Sequence, residues 1–153
     1  MLYKDDLKGE LHRFCELVVS KKLETIQNSL KDVQEGLTSE TKSTAGDKHE
    51  TGRAMLQIER EKIGERLRQA ENMQKILRSI DPNETSERIG LGSLVHTTNN
   101  NFYIATPSGC FTLGQDEIYC ISVKSPIGIL LLGKQKGDFF EFNGVKSSIL
   151  KVK

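Results

Sequence analysis

The chain has 153 residues, enough for one or two small domains and too few for a large enzyme built around a deep cleft. It carries 22 Lys and Arg against 21 Asp and Glu, so its formal net charge is +1 at pH 7. A domain that binds nucleic-acid phosphates directly usually has a clear excess of basic over acidic residues. The charge balance therefore argues against a protein whose main partner is a bare nucleic acid.

The cysteines and the hydropathy of the chain indicate the cellular compartment in which the protein is expected. Cys15, Cys110 and Cys120 are scattered without metal-ligand spacing, which favours reduced thiols over the alternative of a disulfide or a metal site. No apolar run reaches the roughly 20 residues of a membrane span. The first residues mix both charge signs and lack the apolar core of a signal peptide. We therefore expect a cytoplasmic protein with no membrane partner.

Composition changes sharply near Asp81-Pro82. Residues 1–81 are rich in charge, whereas all three Pro and most of the Gly lie in residues 82–153. The first part is typical of a charged helical region and the second of short strands joined by turns. We predict an α+β protein with a helical domain at 1–81, a β domain at 82–153, and a linker at 81–87.

Apolar residues in the first part recur at helical spacing in two stripes. Steps of four and three alternate in the first stripe, with a slip of one residue between Val18 and Val19. This pattern predicts two long antiparallel helices of about 30 residues each, packed as a coiled-coil hairpin with its tip near 39–52. Such a rod offers no concave pocket, but it can carry side chains far from its base. The stripes are Leu7, Leu11, Phe14, Val18, Val19, Leu23, Ile26, Leu30, Val33 and Leu37, then Leu56, Ile63, Leu67, Ala70, Leu77 and Ile80.

The second part has turn residues at the spacing expected between the strands of a small sheet. Candidate strands at 93–98, 101–106, 110–113 and 118–123 are separated by turn residues. A short buried helix is predicted after them, with Ser125 as its N-cap and Pro126 at its first position. A hairpin then joins 138–142 to 145–152 through Asn143-Gly144, the dipeptide that suits a two-residue turn.

Two carboxylates at the predicted tip are the main candidates for chemistry. If the second helix begins near residue 45 or 46, Asp47 and Glu50 share one face of its first turn, where the helix dipole favours negative charge. Together they could supply part of the oxygen ligand set of a hydrated Mg²⁺, with a partner supplying the rest. The alternative is that both acids only stabilise the helix terminus.

Basic residues flank these acids. Lys42, Lys48 and Arg53 are candidates to contact RNA phosphate or acidic groups of a partner, and the alternative is an ordinary solvated loop. His49 lies between the two acids and could bind a metal or move a proton, although an exposed His in a charged turn usually does neither.

Two motifs on opposite sides of the composition boundary carry a family resemblance. The first is Gly-Asp-x-x-Glu at 46–50, and the second is a strand, Ser-Pro-hydrophobic-Gly, a Leu-rich helix and Gly-Lys-x-x-Gly-Asp at 121–138. In this order they resemble Gre-type transcript-cleavage factors of bacterial RNA polymerase. The likeness covers about residues 10–152.

The resemblance implies an FKBP-like β domain that docks at the rim of the polymerase secondary channel while the hairpin enters the channel. Asp47 and Glu50 would help hold a Mg²⁺ shared with the polymerase and orient water against backtracked RNA. Ser125, Pro126 and Lys134 of the second motif would contact the partner. The protein would be a monomer that stimulates the polymerase's own cleavage and is not an enzyme alone.

Two other functions stay open. After Glu50 the chain continues Thr51-Gly52-Arg53, where the family usually has Asn-Ala and further acids. A regulator that occupies the channel without stimulating cleavage is therefore the first alternative, and a coiled-coil adaptor with an unrelated partner is the second. An aromatic content of 6% without Trp argues against an aromatic-lined pocket for proline and hence against a prolyl isomerase.

Overall fold

The fold is taken from a computed structural model that describes residues 6–42 and 46–153, with residues 40–42 and 46–49 described by their backbone alone. Two long helices are followed by a mixed six-stranded sheet and one short helix. The predicted α+β architecture is confirmed, and the arrangement of the second part fits the FKBP-like fold that the resemblance implies.

Both helices are longer than the sequence pattern predicted. Helix α1 spans Leu7–Lys42, 36 residues, and helix α2 spans Gly46–Ser79, 34 residues. Helix α2 ends shortly before Pro82, since the residue that precedes a proline is disfavoured in the helical conformation. Among the described residues, no helix combines the length and the apolar character needed to cross a bilayer.

The part of the hairpin nearer the connection between its helices, Val19–Gln74, forms a compact unit of its own. Its core consists of side chains from the two predicted stripes, and Gly36 of α1 lies against Leu56 of α2. Pairing of late α1 residues with early α2 residues is the register of an antiparallel hairpin. The core residues are Val33, Leu37 and Ile63, with Ile26, Leu30 and Leu56 packed around them.

The second compact unit combines Met1–Val18 with Lys75–Lys153. Its strand order is β3-β4-β2-β1-β6-β5, in which β2 and β4 pair in parallel and the other neighbours are antiparallel. The elements are β1 Leu94–Thr97, β2 Asn101–Ala105, β3 Gly109–Leu113, β4 Asp116–Ser122, α3 Pro126–Leu131, β5 Phe139–Phe142 and β6 Val145–Val152.

The sheet of this unit is covered on both faces. One face packs with α3 into a core of Ile89, Val95, Phe102, Ile104, Leu131, Phe140 and Ile149. Side chains alternate along a strand, so Tyr103 and its register partner Cys120 lie on the opposite face. The first turns of α1 cover that face, where the ring centroids of Phe14 and Phe111 are 5.2 Å apart.

The slip in the apolar stripe has a structural cause. It lies between Val18 and Val19, where the chain passes from one compact unit to the other. Before the slip α1 packs on the sheet, and after it α1 packs on α2. A helix that changes partners must rotate its apolar face, and a phase shift in the heptad pattern accomplishes this.

The predicted strands and the predicted β-hairpin at 138–152 are confirmed, whereas one part of the prediction for the short helix is wrong. Asn143 and Gly144 form the hairpin turn with φ values of 51° and 79°. Helix α3 exists and is capped by Ser125, but it is not buried as predicted, since only Gly128 and Leu131 are enclosed. A helix of six residues packs one side on the core and leaves the other outside.

Candidate functional site

The candidate acids lie at the start of α2. This helix begins at Gly46, so the condition set for the two acids is met, and Asp47 and Glu50 belong by backbone position to its first turns. The side chain of Glu50 is exposed, and that of Asp47 lies outside the described part of the chain. Carboxylates at this end of a helix interact favourably with the exposed N–H groups of the first turn.

A basic residue accompanies Glu50 on the helix surface. Arg53 is also exposed and follows Glu50 by three residues, a spacing at which opposite charges attract one another across a helix turn. Lys42 is the last residue of α1 and Lys48 lies in the first turn of α2. The side chains of Lys42, Lys48 and His49 lie outside the described part of the chain.

The donor set suits a hard cation and is incomplete. Asp47 and Glu50 offer carboxylate oxygens, which Mg²⁺ prefers, yet the ion keeps an octahedral shell of six ligands, about 2 Å away. Two side chains can fill only a minority of those positions. A partner and water would have to supply the others, which is the arrangement that the resemblance implies.

The second group of candidate residues surrounds α3. Ser125 Oγ accepts a hydrogen bond from the Gly128 N–H at 3.1 Å and donates one to the Ser122 carbonyl at 2.6 Å. Pro126 occupies the first turn and is exposed, and Lys134 is half-buried. The hydroxyl of Ser125 therefore has a local structural role, whereas the contact of these three residues with a partner stays a prediction.

The outer side of α3 is an apolar surface that the sequence pattern assigned to the core. Ile129, Leu130 and Leu132 are 63%, 37% and 53% exposed. They belong to the same short segment as Pro126 and Lys134. Several neighbouring apolar side chains on a surface are a feature of sites where another protein binds.

An aromatic-lined cavity of about 290 Å³ opens on the other side of α3, contrary to the prediction from composition. Its apolar lining includes Phe102, Phe140 and Phe142 together with Ile127 and Val145, and its polar lining consists of Thr97, Asn99, Asn100, Asn143 and Ser147. The composition is low in aromatic residues, but half of the Phe residues converge on this one cavity. A low aromatic content therefore did not exclude an aromatic-lined pocket, and that prediction was wrong.

The chain matches no protein-family model and no curated protein. Its relation to Gre-type factors is therefore a prediction that depends on the two motifs and their order.

One polar cluster was missed by the sequence reasoning. Cys15 of α1 and Cys120 of β4 are free thiols, and both are buried. Each changes the pKa of the other, which is lowered for Cys15 and raised for Cys120. His12 and Tyr103 lie beside them, with His12 Nδ1 3.1 Å from the Tyr103 hydroxyl oxygen. The only sequence signal was the spacing of Cys15 four residues after Leu11, which places the thiol on the buried side of α1.

Proposed function

We propose that the chain is an elongation factor of bacterial RNA polymerase that enters the secondary channel and stimulates the polymerase's own cleavage of backtracked RNA. The observation that carries the proposal is the position of Asp47 and Glu50. They begin the second helix of an antiparallel hairpin, next to the connection between the helices, and Glu50 is exposed.

In this proposal the two carboxylates supply oxygen ligands that the polymerase lacks for one Mg²⁺. When bound, the ion supplies a water of lowered pKa for hydrolysis of the phosphodiester. The chain's own contribution is to hold two negative charges on a stiff helical support, which limits the entropy lost when the site is assembled. Lys42, Lys48 and Arg53 would lie near the backtracked RNA and attract its phosphates.

The surface around α3 supports the docking half of the proposal. Ile129, Leu130 and Leu132 offer apolar area, and Lys134 adds a positive charge beside them. An apolar centre with a charged rim is the usual composition of a protein–protein contact. Pro126 fixes the backbone at the start of the helix, so this surface is formed before the partner binds.

A regulator that occupies the channel without stimulating cleavage is the second candidate. It is favoured by Arg53, whose positive charge lies three residues from Glu50 on the same exposed helix surface. A guanidinium that pairs with Glu50 would compete with Mg²⁺ for the same oxygens. In that case the hairpin would still fill the channel but would supply fewer ligands to the metal.

Transcript cleavage in backtracked complexes separates these candidates. The wild-type chain is compared with an Asp47→Asn/Glu50→Gln double variant and with an Asp32→Asn/Glu35→Gln control, whose exposed acids have the same spacing on α1. We expect the first variant to lose the stimulation while it still binds polymerase, and the control to behave as the wild type. Inhibition of synthesis without cleavage, unchanged in the first variant, would favour the regulator. Failure of the wild type to bind polymerase would favour an adaptor.

A further inference from the structure

The aromatic-lined cavity lies within one compact unit and is separate from the surfaces discussed so far. Its described lining residues all belong to the segment Lys75–Lys153 of that unit. None of them is a candidate acid of the hairpin or one of the exposed residues Ile129, Leu130 and Leu132. Small-molecule sites usually have volumes of about 300–1,000 Å³, so a cavity of about 290 Å³ suits a group the size of one ring system.

The apolar part of the lining is mostly aromatic. Phe102 of β2 and Phe140 of β5 are 8% and 7% exposed, and Phe142 of β5 is half-buried. Aromatic rings attract other planar rings through offset stacking and edge-to-face packing, beyond the gain from buried area. The aromatic lining therefore favours a planar ring over a branched aliphatic group.

The polar part of the lining is uncharged. It consists of hydroxyl and carboxamide side chains, and no Lys, Arg, His, Asp or Glu is among the described lining residues. An ionised group that enters such a place loses its hydration without gaining an opposite charge. The part of a ligand that enters the cavity is therefore neutral.

Two carboxamides at the cavity are available to a ligand. Among the hydrogen bonds between described residues, none involves the side-chain amide of Asn100 or Asn143, and both residues are exposed. Asn99 differs, because its Nδ2 donates to Ser147 Oγ at 2.6 Å and to the Lys146 carbonyl at 3.4 Å. A carboxamide offers two N–H donors and one acceptor oxygen. A ligand that satisfies both available amides must itself carry donors and acceptors.

The backbone at both available amides is held in place without a ligand. The Thr97 hydroxyl donates to the Asn100 carbonyl at 2.6 Å and accepts from the Asn100 N–H at 3.0 Å. Asn143 begins the hairpin turn between β5 and β6, with a φ of 51°. Since these two turns are already formed, binding costs less ordering of the chain.

We propose that the aromatic-lined cavity binds one unpaired nucleobase, with adenine preferred over the other bases. A nucleobase is planar, neutral at pH 7, and carries hydrogen-bond donors and acceptors along its edge. Proteins that bind unpaired bases stack them on aromatic side chains and hydrogen-bond their edges. The side chain of Asn matches adenine in particular, because its amide nitrogen and oxygen can pair with the base at the same time. The proposal is independent of the proposed role in transcription.

An apolar peptide side chain matches the cavity less completely than a base does. A proline or leucine side chain would fill the apolar space but carries no donor or acceptor. Water displaced from Asn100 and Asn143 would then not be replaced, which costs free energy. Because no cation is among the described lining residues, the ribose and any phosphate are expected to remain in solvent.

The test measures binding to the isotope-labelled full-length protein by two-dimensional NMR, with adenosine, uridine and ribose as probes. We expect adenosine to shift the signals of lining residues saturably, uridine to bind at least about fivefold more weakly, and ribose to cause no shift. A five-nucleotide oligoadenylate identifies the source of the base. Binding tighter than that of adenosine at five times the concentration indicates single-stranded RNA, and equal binding indicates a free nucleoside.

The aromatic contribution is tested on β5. Phe142→Leu should weaken adenosine binding about tenfold or more, because stacking on an aromatic ring is lost. Phe139→Leu is the matched control, since Phe139 belongs to the same strand, is 61% exposed and is not among the lining residues. It should bind adenosine as the wild type does.

The carboxamide contribution is tested in the two turns. Asn100→Ala and Asn143→Gly should each weaken adenosine binding about two- to tenfold, and glycine keeps the positive φ that the hairpin turn requires. Asn83→Ala is the control, because Asn83 is exposed in the same unit and is not among the lining residues. The NMR spectrum of each variant shows whether it is folded, so a loss of folding is distinguished from a loss of binding.

Three results would overturn the proposal. The first is the absence of saturable shifts at the lining residues with millimolar adenosine. The second is equal weakening of adenosine binding by Phe142→Leu and Phe139→Leu, which would place the base elsewhere. The third is tighter binding of acetyl-alanyl-proline amide than of adenosine, which would make the cavity a peptide site.

Discussion

His12 of α1 and Tyr103 of β2 are joined by a buried contact, with 3.1 Å between the imidazole Nδ1 and the hydroxyl oxygen. The other ring nitrogen of His12, Nε2, lies 3.0 Å from a carboxylate oxygen of Glu16. The imidazole thus connects a buried hydroxyl to an exposed carboxylate. This contact fixes the first turns of α1 on the sheet next to Cys15.

Removal of the Tyr103 hydroxyl should therefore weaken the unit. Tyr103→Phe leaves His12 Nδ1 without its partner in a buried place, and we expect the free energy of unfolding to fall by about 1–2 kcal/mol. Tyr119→Phe is the matched control, because Tyr119 is 37% exposed on β4. Urea unfolding measures both, and equal effects of the two variants would contradict the role of this contact.

Stability should also depend on pH through Cys15. Because the pKa of Cys15 falls from 9.0 to about 7 on folding, the folded state has lost this proton between those values while the unfolded state still binds it. The state that binds more protons is disfavoured as pH rises, so the free energy of unfolding increases from about pH 7 to about pH 9. Above that range the raised pKa of Cys120 acts in the opposite direction, since only the unfolded state then loses its proton.

Urea unfolding at a series of pH values under reducing conditions measures this dependence. We compare the wild type with Cys15→Ser, which keeps a polar group of similar size but cannot form a thiolate. The difference between the two free energies of unfolding should rise across the stated window and stay constant below it. A constant difference across the whole window would exclude a lowered pKa for Cys15.

Gly128 should tolerate no side chain. A Cβ at this position would overlap the Ser122 carbonyl oxygen, a backbone atom, and would crowd the capping Ser125 hydroxyl. We expect Gly128→Ala to lower the free energy of unfolding by about 1–3 kcal/mol through this overlap. Gly64→Ala is the control, because nothing lies within 4 Å of its Cβ position, and it should stabilise α2 by about 0.5–1 kcal/mol.

The apolar surface of α3 should affect binding and leave folding intact. Ile129→Glu places a charge on a side chain that is 63% exposed, so the free energy of unfolding should change by less than about 0.5 kcal/mol. If this surface contacts polymerase, the substitution should weaken binding at least about tenfold, the effect of roughly 1.4 kcal/mol. Leu17→Glu is the control, because Leu17 of α1 is 56% exposed, and equal binding by both variants would remove α3 from the interface.

Local signals account for what the sequence predicted well. The heptad spacing of residues such as Val33 and Ile63 and the Asn143-Gly144 turn depend on residues close in sequence, and these patterns predicted the hairpin and the strands. The one-residue slip in the apolar stripe between Val18 and Val19 was also visible in the sequence. Its cause was not visible, because the change of packing partner from sheet to helix depends on the fold.

Long-range juxtaposition accounts for what was missed. Cys15 and Cys120 are brought together by the packing of α1 on the sheet, which no local pattern specifies. The convergence of Phe102, Phe140 and Phe142 on one cavity likewise depends on strand order. The overall aromatic content of the chain does not show that these three residues lie together. The exposure of Ile129 was missed because an apolar run does not reveal which of its sides faces the core.

The most direct test of the central claim is the Mg²⁺ dependence of transcript cleavage in backtracked complexes. If Asp47 and Glu50 supply ligands to the ion, the wild-type chain should lower the Mg²⁺ concentration needed for half-maximal cleavage relative to polymerase alone. The Asp47→Asn/Glu50→Gln variant should abolish that shift at saturating protein, and Asp32→Asn/Glu35→Gln should preserve it. The same half-maximal Mg²⁺ concentration with the wild type, the tip variant and polymerase alone would contradict the account.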